Sequence, residues 1–215
     1  GGLHGVGISV VNALSKNLFV ISYRDGKISE QRYKKGVPEA LVTSKPSEHK
    51  TGTLVRFYPD DEIFSSLQFS FDILVMRLRE LAFLNKGLRI HLKDERTGKE
   101  KEFCFEGGVV SFVHHLNKGK NPLHDTICLH KVKDKVEVEL ALQYTDAYNE
   151  TVYSFVNNIN THEGGTHLAG LKTALTRTLN TYGEKNNILK KEKLSSEDVR
   201  EGLTAIISIR MPDPQ

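Results

Sequence analysis

The sequence predicts a mixed fold of helices and strands in two successive parts, and three observations carry that expectation. Several short runs alternate apolar and polar residues, the period of a half-buried strand. A few longer runs repeat apolar residues three and four positions apart, the period of a helix. A Gly107-Gly108 pair divides the two sets.

In chain order, Ile8, Val11 and Leu14 predict a short helix over 7–15. Residues 18–24 and 28–34 then read as a hairpin around Asp25-Gly26, and 52–58 as a further strand. Ser70 is a fitting N-cap for a helix through Leu84, with Phe71, Leu74, Leu78 and Leu81 on one face. Leu88, Ile90 and Leu92 alternate with Arg89, His91 and Lys93 as a strand, and the turn Asp94–Gly98 returns the chain into another near 101–106. Beyond Gly107-Gly108, a helix over 109–117 leads to strands around 136–142 and 151–158. Gly164-Gly165 opens a long helix with an apolar stripe of Leu168, Leu171, Leu175, Leu179 and Tyr182. A lysine-rich stretch over 184–198 separates it from a last strand at 203–211.

At 215 residues the chain is long for one domain and comfortable for two. Its 38% hydrophobic and 27% charged content excludes a disordered tail. A net charge of +3 is too small to argue for nucleic acid by itself. Cys104 and Cys128 form no CxxC motif and read as free thiols of a reducing compartment. No apolar run nears the ~18 residues that span a bilayer, so a cytoplasmic protein without a membrane partner is expected. The nine histidines show no metal-ligand spacing, and no metal site is expected on these residues.

The strongest local feature is Gly1-Gly2-Leu3-His4-Gly5-Val6-Gly7 running into a helix. Glycines admit positive φ and close approach to the main chain. The unpaired amides of a helix start, with the helix dipole behind them, suit an anion. The spacing GxxGxG is neither a Walker A loop nor a dinucleotide fingerprint. Taken as a pattern it fits a phosphate cradle or a plain glycine-rich connection equally well.

The wording of Gly1–Ser15 resembles the third ATP-binding motif of the GHKL ATPase family, in the form used by the ATP-driven subunits of bacterial type II DNA topoisomerases. Lys50-Thr51-Gly52-Thr53 with Val55-Arg56-Phe57, Leu78–Asn85, Asn157-Asn158-Ile159, Gly164–Gly170, Arg177–Asn180, Arg200–Leu203 and Pro212-Asp213-Pro214 match further family wording in the family's order. The stretch Leu78–Asn85 is nearer to the gyrase B group than to topoisomerase IV.

This resemblance implies an α+β fold in two parts. Residues 1–107 are the C-terminal portion of a GHKL (Bergerat) ATPase α/β sandwich, and 108–215 a transducer domain with a left-handed βαβ crossover. It implies that Gly2, Leu3, His4, Gly5, Val6, Gly7 and Ile8 wrap ATP phosphates through main-chain amides. It sets Thr53 and Val55 in the adenine pocket, and Arg24 at the pocket rim where coumarin-type inhibitors bind. Lys172 and Arg177 become contacts to a DNA segment in the transducer cavity. Taken alone, Thr53 reads as an ordinary strand residue, and Arg24 and the polar side of the long helix as solvated charge.

The implied substrate is ATP with Mg2+, the metal ligands lying outside this chain. The implied partners are DNA, the gyrase A protein and a second gyrase B copy in an ATP-dependent dimer of an A2B2 assembly. Gly1 already stands inside a motif, and Met211–Gln215 lead into a loop, so the chain reads as an internal piece. In the family the catalytic glutamate precedes the glycine motif and the sensing lysine follows Pro-Asp-Pro. The 215 residues alone are therefore expected to lack ATP turnover and tight ATP binding. Topoisomerase IV, a MutL-type ATPase and a non-enzymatic DNA-binding module are the rival readings.

Overall fold

The computed structural model describes residues 6–189 and 192–214. These divide into two compact units between Ser70 and Phe71.

In the first unit, α1 (Gly7–Ala13) is followed by β1 (Ser15–Arg24), β2 (Lys27–Lys34), β3 (Val37–Pro38), β4 (Thr43–Pro46) and β5 (Gly52–Pro59). They form one sheet in the order β3-β2-β1-β5, with β4 also on β2 and every pairing antiparallel. The β1–β2 turn is the two-residue Asp25-Gly26, both at positive φ, which matches the twist of the strands it joins. Helix α1 is shorter than its apolar spacing predicts. Ser15 donates its hydroxyl to the Val11 carbonyl at 2.6 Å and starts β1, so the chain turns out of the helix after Leu14. No residue of α1 is buried among the described residues.

The second unit opens with α2 (Phe71–Leu84), the hairpin β6 (Ile90–Asp94) and β7 (Lys99–Phe103), and α3 (Gly108–Leu116). The strand expected from Leu88 begins two residues later, and that expected near 101–106 runs over Lys99–Phe103. Then come β8 (Ile127–Lys133), β9 (Val136–Tyr144), β10 (Thr151–Val156), β11 (Ile159–Asn160), α4 (Thr166–Lys185) and β12 (Leu203–Arg210). The sheet order is β11-β10-β12-β9-β8. β12 runs antiparallel to β9 and parallel to β10, so β10-α4-β12 is a βαβ crossover. Tyr182 leaves the predicted stripe of α4 and is exposed, because the chain folds back at the helix end and sets Leu189 against Gly183.

The core of this unit lies between one face of the sheet and the α2–α3 pair. Phe83, 2% exposed, stacks on Phe105 at 3.7 Å and on Phe112 at 4.7 Å between ring centroids. Phe155, Ala141 and Ile206 complete the cluster from the sheet. At one end of the same face, Asn117 donates to Gln143 at 2.8 Å and accepts from Thr204 at 2.7 Å, so a buried polar layer is closed by its own hydrogen bonds.

At the other end the exit of β12 is fastened twice. Asn157 exchanges two 2.9 Å hydrogen bonds with the backbone of Met211, and Arg210 donates to the Leu84 carbonyl at the end of α2 at 2.6 Å. Asn158 also donates to Asn85. Among the described residues no helix is long and apolar enough to cross a membrane.

Phe83→Ala is expected to cost about 3–5 kcal/mol in urea unfolding of the second unit; a loss below about 1 kcal/mol would place Phe83 outside the core. His115 sits at the α2–α3 contact, 3.5 Å from Arg79. Burial first, then the Arg79 and Lys118 charges, hold it below its usual 6.5. Because its folded value is depressed, its contribution is complete above 6.5 and is lost as pH falls through that value toward the folded one. His115→Gln is expected to flatten the decline in stability between about pH 7.5 and 5.5.

Candidate functional site

The first unit gathers its singled-out residues by strand register. β1 and β5 pair with Leu18 opposite Phe57, Val20 opposite Val55 and Ser22 opposite Thr53. Residues directly opposite in an antiparallel pair share a face, and alternation carries that face on to Arg24. Arg24, Thr53, Val55 and Phe57 therefore stand on one side of the sheet, with Ser22 and Val20 between them. Sequence reading did not single out Ser22 and Val20, because only the register shows that they share the face.

Arg24 sits at the hairpin end with its side chain 79% exposed, its guanidinium 3.5 Å from the Asp25 carboxylate. Thr53 and Val55 are exposed along β5, which pairs with β1 alone among the described strands. At the other end of the same face, a cavity of about 200 Å³ is lined almost wholly by apolar groups, among them Val11 of α1, Leu14 just after it, and Phe57, Pro59 and Phe64. It includes Phe57 but neither Thr53 nor Val55. Val6, Gly7 and Ile8 form the start of α1, with Val6 and Ile8 exposed. Gly2, Leu3, His4 and Gly5 lie outside the described residues.

Buried Asp60 anchors this arrangement. Its amide donates to the Leu14 carbonyl at 3.1 Å, joining the end of β5 to the end of α1. Its carboxylate accepts from the Glu62 amide at 3.0 Å and lies 3.4 Å from the Lys35 ammonium. A second tie comes from the β2–β3 turn, where Gly36 accepts from Asn12 at positive φ and a β-carbon added to it would lie a tight 3.3 Å from the Ala13 α-carbon. Asp60 carries no motif signal.

In the second unit, Lys172 and Arg177 lie on α4 in different circumstances. Lys172 is paired with Glu150 at 3.2 Å, and Glu150 is held from its other oxygen by Arg200 at 3.0 Å. Arg177 is exposed, with no acidic partner among the described residues. No cluster of three His, Cys, Asp or Glu side chains converges among those residues.

The DNA gyrase B family model matches residues 108–215. The chain belongs to the DNA gyrase B family. It is 54% identical over its whole length to the DNA gyrase B protein of Bacillus mycoides, covering 54% of that protein, and 52% identical to that of Thermotoga maritima, covering 35%. It thus spans between about a quarter and about half of the curated gyrase B relatives it matches. Its fold superposes with a TM-score of 0.85 on the 43K ATPase domain of Thermus thermophilus gyrase B, solved in complex with an aminocoumarin, at 37% identity over 99% of this chain and 59% of that one. A topoisomerase IV ATP-binding domain from Francisella tularensis is similar at 0.82 and 28% identity, covering all of this chain and 60% of that one. Gyrase B, and not its topoisomerase IV counterpart, is the better-supported kinship, and the fold is that of the GHKL ATPases.

Asp60→Ala is expected to destabilise the first unit by about 1–3 kcal/mol, since it removes the acceptor of the Glu62 amide. Asp60→Asn keeps an acceptor for that amide and should lose less. Hydrogen exchange at the Asp60 and Glu62 amides separates the two variants. Equal exchange in both would remove Asp60 from the anchoring role.

Proposed function

We propose that this chain supplies part of the nucleotide grip and much of the transducer of an ATP-hydrolysing type II DNA topoisomerase, which couples ATP binding and hydrolysis to strand passage and negative supercoiling. The observation that carries the proposal is the single sheet face bearing Arg24, Thr53 and Val55, in the same compact unit as the start of α1. An open face with the hydroxyls of Ser22 and Thr53, a β-branched wall and a cation at its end fits a nucleobase with an anionic tail.

Thr53 hydrogen-bonds at the adenine end and Val55 packs on the base. Main-chain amides from Gly2 through Ile8 hold the phosphates, and Arg24 guards the rim, where an aminocoumarin would also meet it. Mg2+ accompanies the nucleotide through ligands elsewhere in the parent protein. Hydrolysis supplies free energy; these residues bind and orient the nucleotide. ATP binding then favours the closed dimer of two gyrase B copies by its differential affinity for that state, within an A2B2 assembly with gyrase A that works on cytoplasmic DNA.

The functional boundary falls at Gly107-Gly108, 1–107 belonging to the ATPase part and 108–215 to the transducer; the family match beginning at residue 108 supports it. Between Lys172 and Arg177, Arg177 is the stronger DNA contact. Lys172 must first give up Glu150, whereas Arg177 has no acidic partner among the described residues.

In the longer protein that carries this chain, Thr53→Ala is expected to weaken binding of a non-hydrolysable ATP analogue about tenfold. It should slow supercoiling of relaxed plasmid at low ATP and spare it at high ATP. Arg177→Ala should leave nucleotide affinity unchanged and lower the slope of log K for duplex DNA against log salt by about one phosphate contact. Supercoiling that needs no ATP, or unaltered nucleotide affinity in Thr53→Ala, would overturn the reading.

A further inference from the structure

β8 ends the second sheet, and among the described residues its outer edge pairs with nothing. Such an edge is a ready template for another strand. β8 is seven residues long, contains no proline, and keeps one register with β9 from Ile127 opposite Leu142 to Lys133 opposite Val136. It is exposed throughout, including Ile127 at 56% and Leu129 at 51%.

Its two faces differ. Ile127, Leu129, Lys131 and Lys133 share the face opposite Leu142, Leu140, Val138 and Val136, two apolar positions followed by two lysines. Cys128, His130 and Val132 share the other face. There Cys128 and His130 border a cavity of about 480 Å³ whose lining also includes Lys86, Gly108, Glu139 and Arg210. The carboxylates on that side are already engaged, Glu137 with His130 at 2.8 Å and Arg210 at 3.4 Å, Glu139 with Arg210 at 3.5 Å. Lys86, Lys131 and Lys133 have no acidic partner among the described residues.

We propose that β8 receives an extended acidic segment of a partner protein as an added strand. Main-chain hydrogen bonds along the edge give the affinity, and alternate side chains give the selectivity. Apolar residues of the partner cover Ile127 and Leu129, and carboxylates answer Lys131 and Lys133. A side chain on the other face enters the cavity beside Lys86. A second copy of β8 is a poor occupant, because the strand holds no acidic side chain to answer those lysines.

The test uses the full chain and a blocked heptapeptide, Glu-Thr-Glu-Thr-Val-Thr-Val, written for antiparallel pairing. Its control carries Lys in place of both Glu. Fluorescence anisotropy is expected to show the acidic peptide binding at least about tenfold tighter than the control, with new hydrogen-exchange protection confined to 127–133. The double change Lys131→Glu and Lys133→Glu lies at exposed positions, and its folding is checked by circular dichroism. It should reverse the preference between the two peptides. Equal binding of both peptides, protection elsewhere, an unreversed preference, no binding, or concentration-dependent dimerisation through β8 in sedimentation would each overturn the proposal.

Discussion

The second unit is registered on one strand, β12. Seven consecutive residues of it, Leu203–Ile209, are buried, and it lies at the centre of the sheet, antiparallel to β9 on one side and parallel to β10 on the other. On the α2–α3 side its residues Thr204, Ile206 and Arg210 set, in order, the polar layer, the aromatic core and the tie to α2. A one-residue slip would exchange every one of these for a residue of the opposite face. The strand's start is fixed just as firmly. Gly202 adopts a positive φ, and a side chain there would lie 2.5 Å from the Thr145 carbonyl oxygen. Backbone and core thus agree on a single register.

That rigidity gives physical content to several stretches that first stood out as family wording. In Arg200-Glu201-Gly202-Leu203, the glycine admits the turn and the arginine holds Glu150. In Asn157-Asn158, both residues adopt the left-handed conformation of a two-residue hairpin turn, which asparagine tolerates better than most. Asn180 of α4 brackets the backbone of Leu194 with two hydrogen bonds, bringing part of the lysine-rich stretch back onto the helix. These residues hold the frame of the second unit, and only their geometry separates that role from ligand contact.

Period and turn chemistry placed the helices and most strands to within a few residues, because each signal is local. β8 escaped as a strand: Ile127, Cys128 and Leu129 are consecutive and apolar, so they carry no alternation to read. Tyr182 fitted the helical period but not the burial, since the fold-back of Leu189 onto Gly183 is a tertiary event. At the candidate site, the resemblance singled out Arg24, Thr53 and Val55. Alternation alone sets Thr53 and Val55 on one face, and that Arg24 joins them became visible only through the pairing of Ser22 with Thr53. Asp60 was illegible because its importance lies in being buried, and burial of a single acid leaves no pattern in a sequence.

The clasp at the end of β12 has a mechanical consequence. Asn157 holds Met211 by both backbone groups, while the neighbouring Arg210 grips the last turn of α2. The segment that continues through Pro212 therefore leaves the sheet from a fixed pivot. A displacement applied beyond Met211 has no slack to take up before it loads α2 and the β10–β11 turn together. A strand end fastened in this way works like a rivet, turning motion of a tail into torque on a helix.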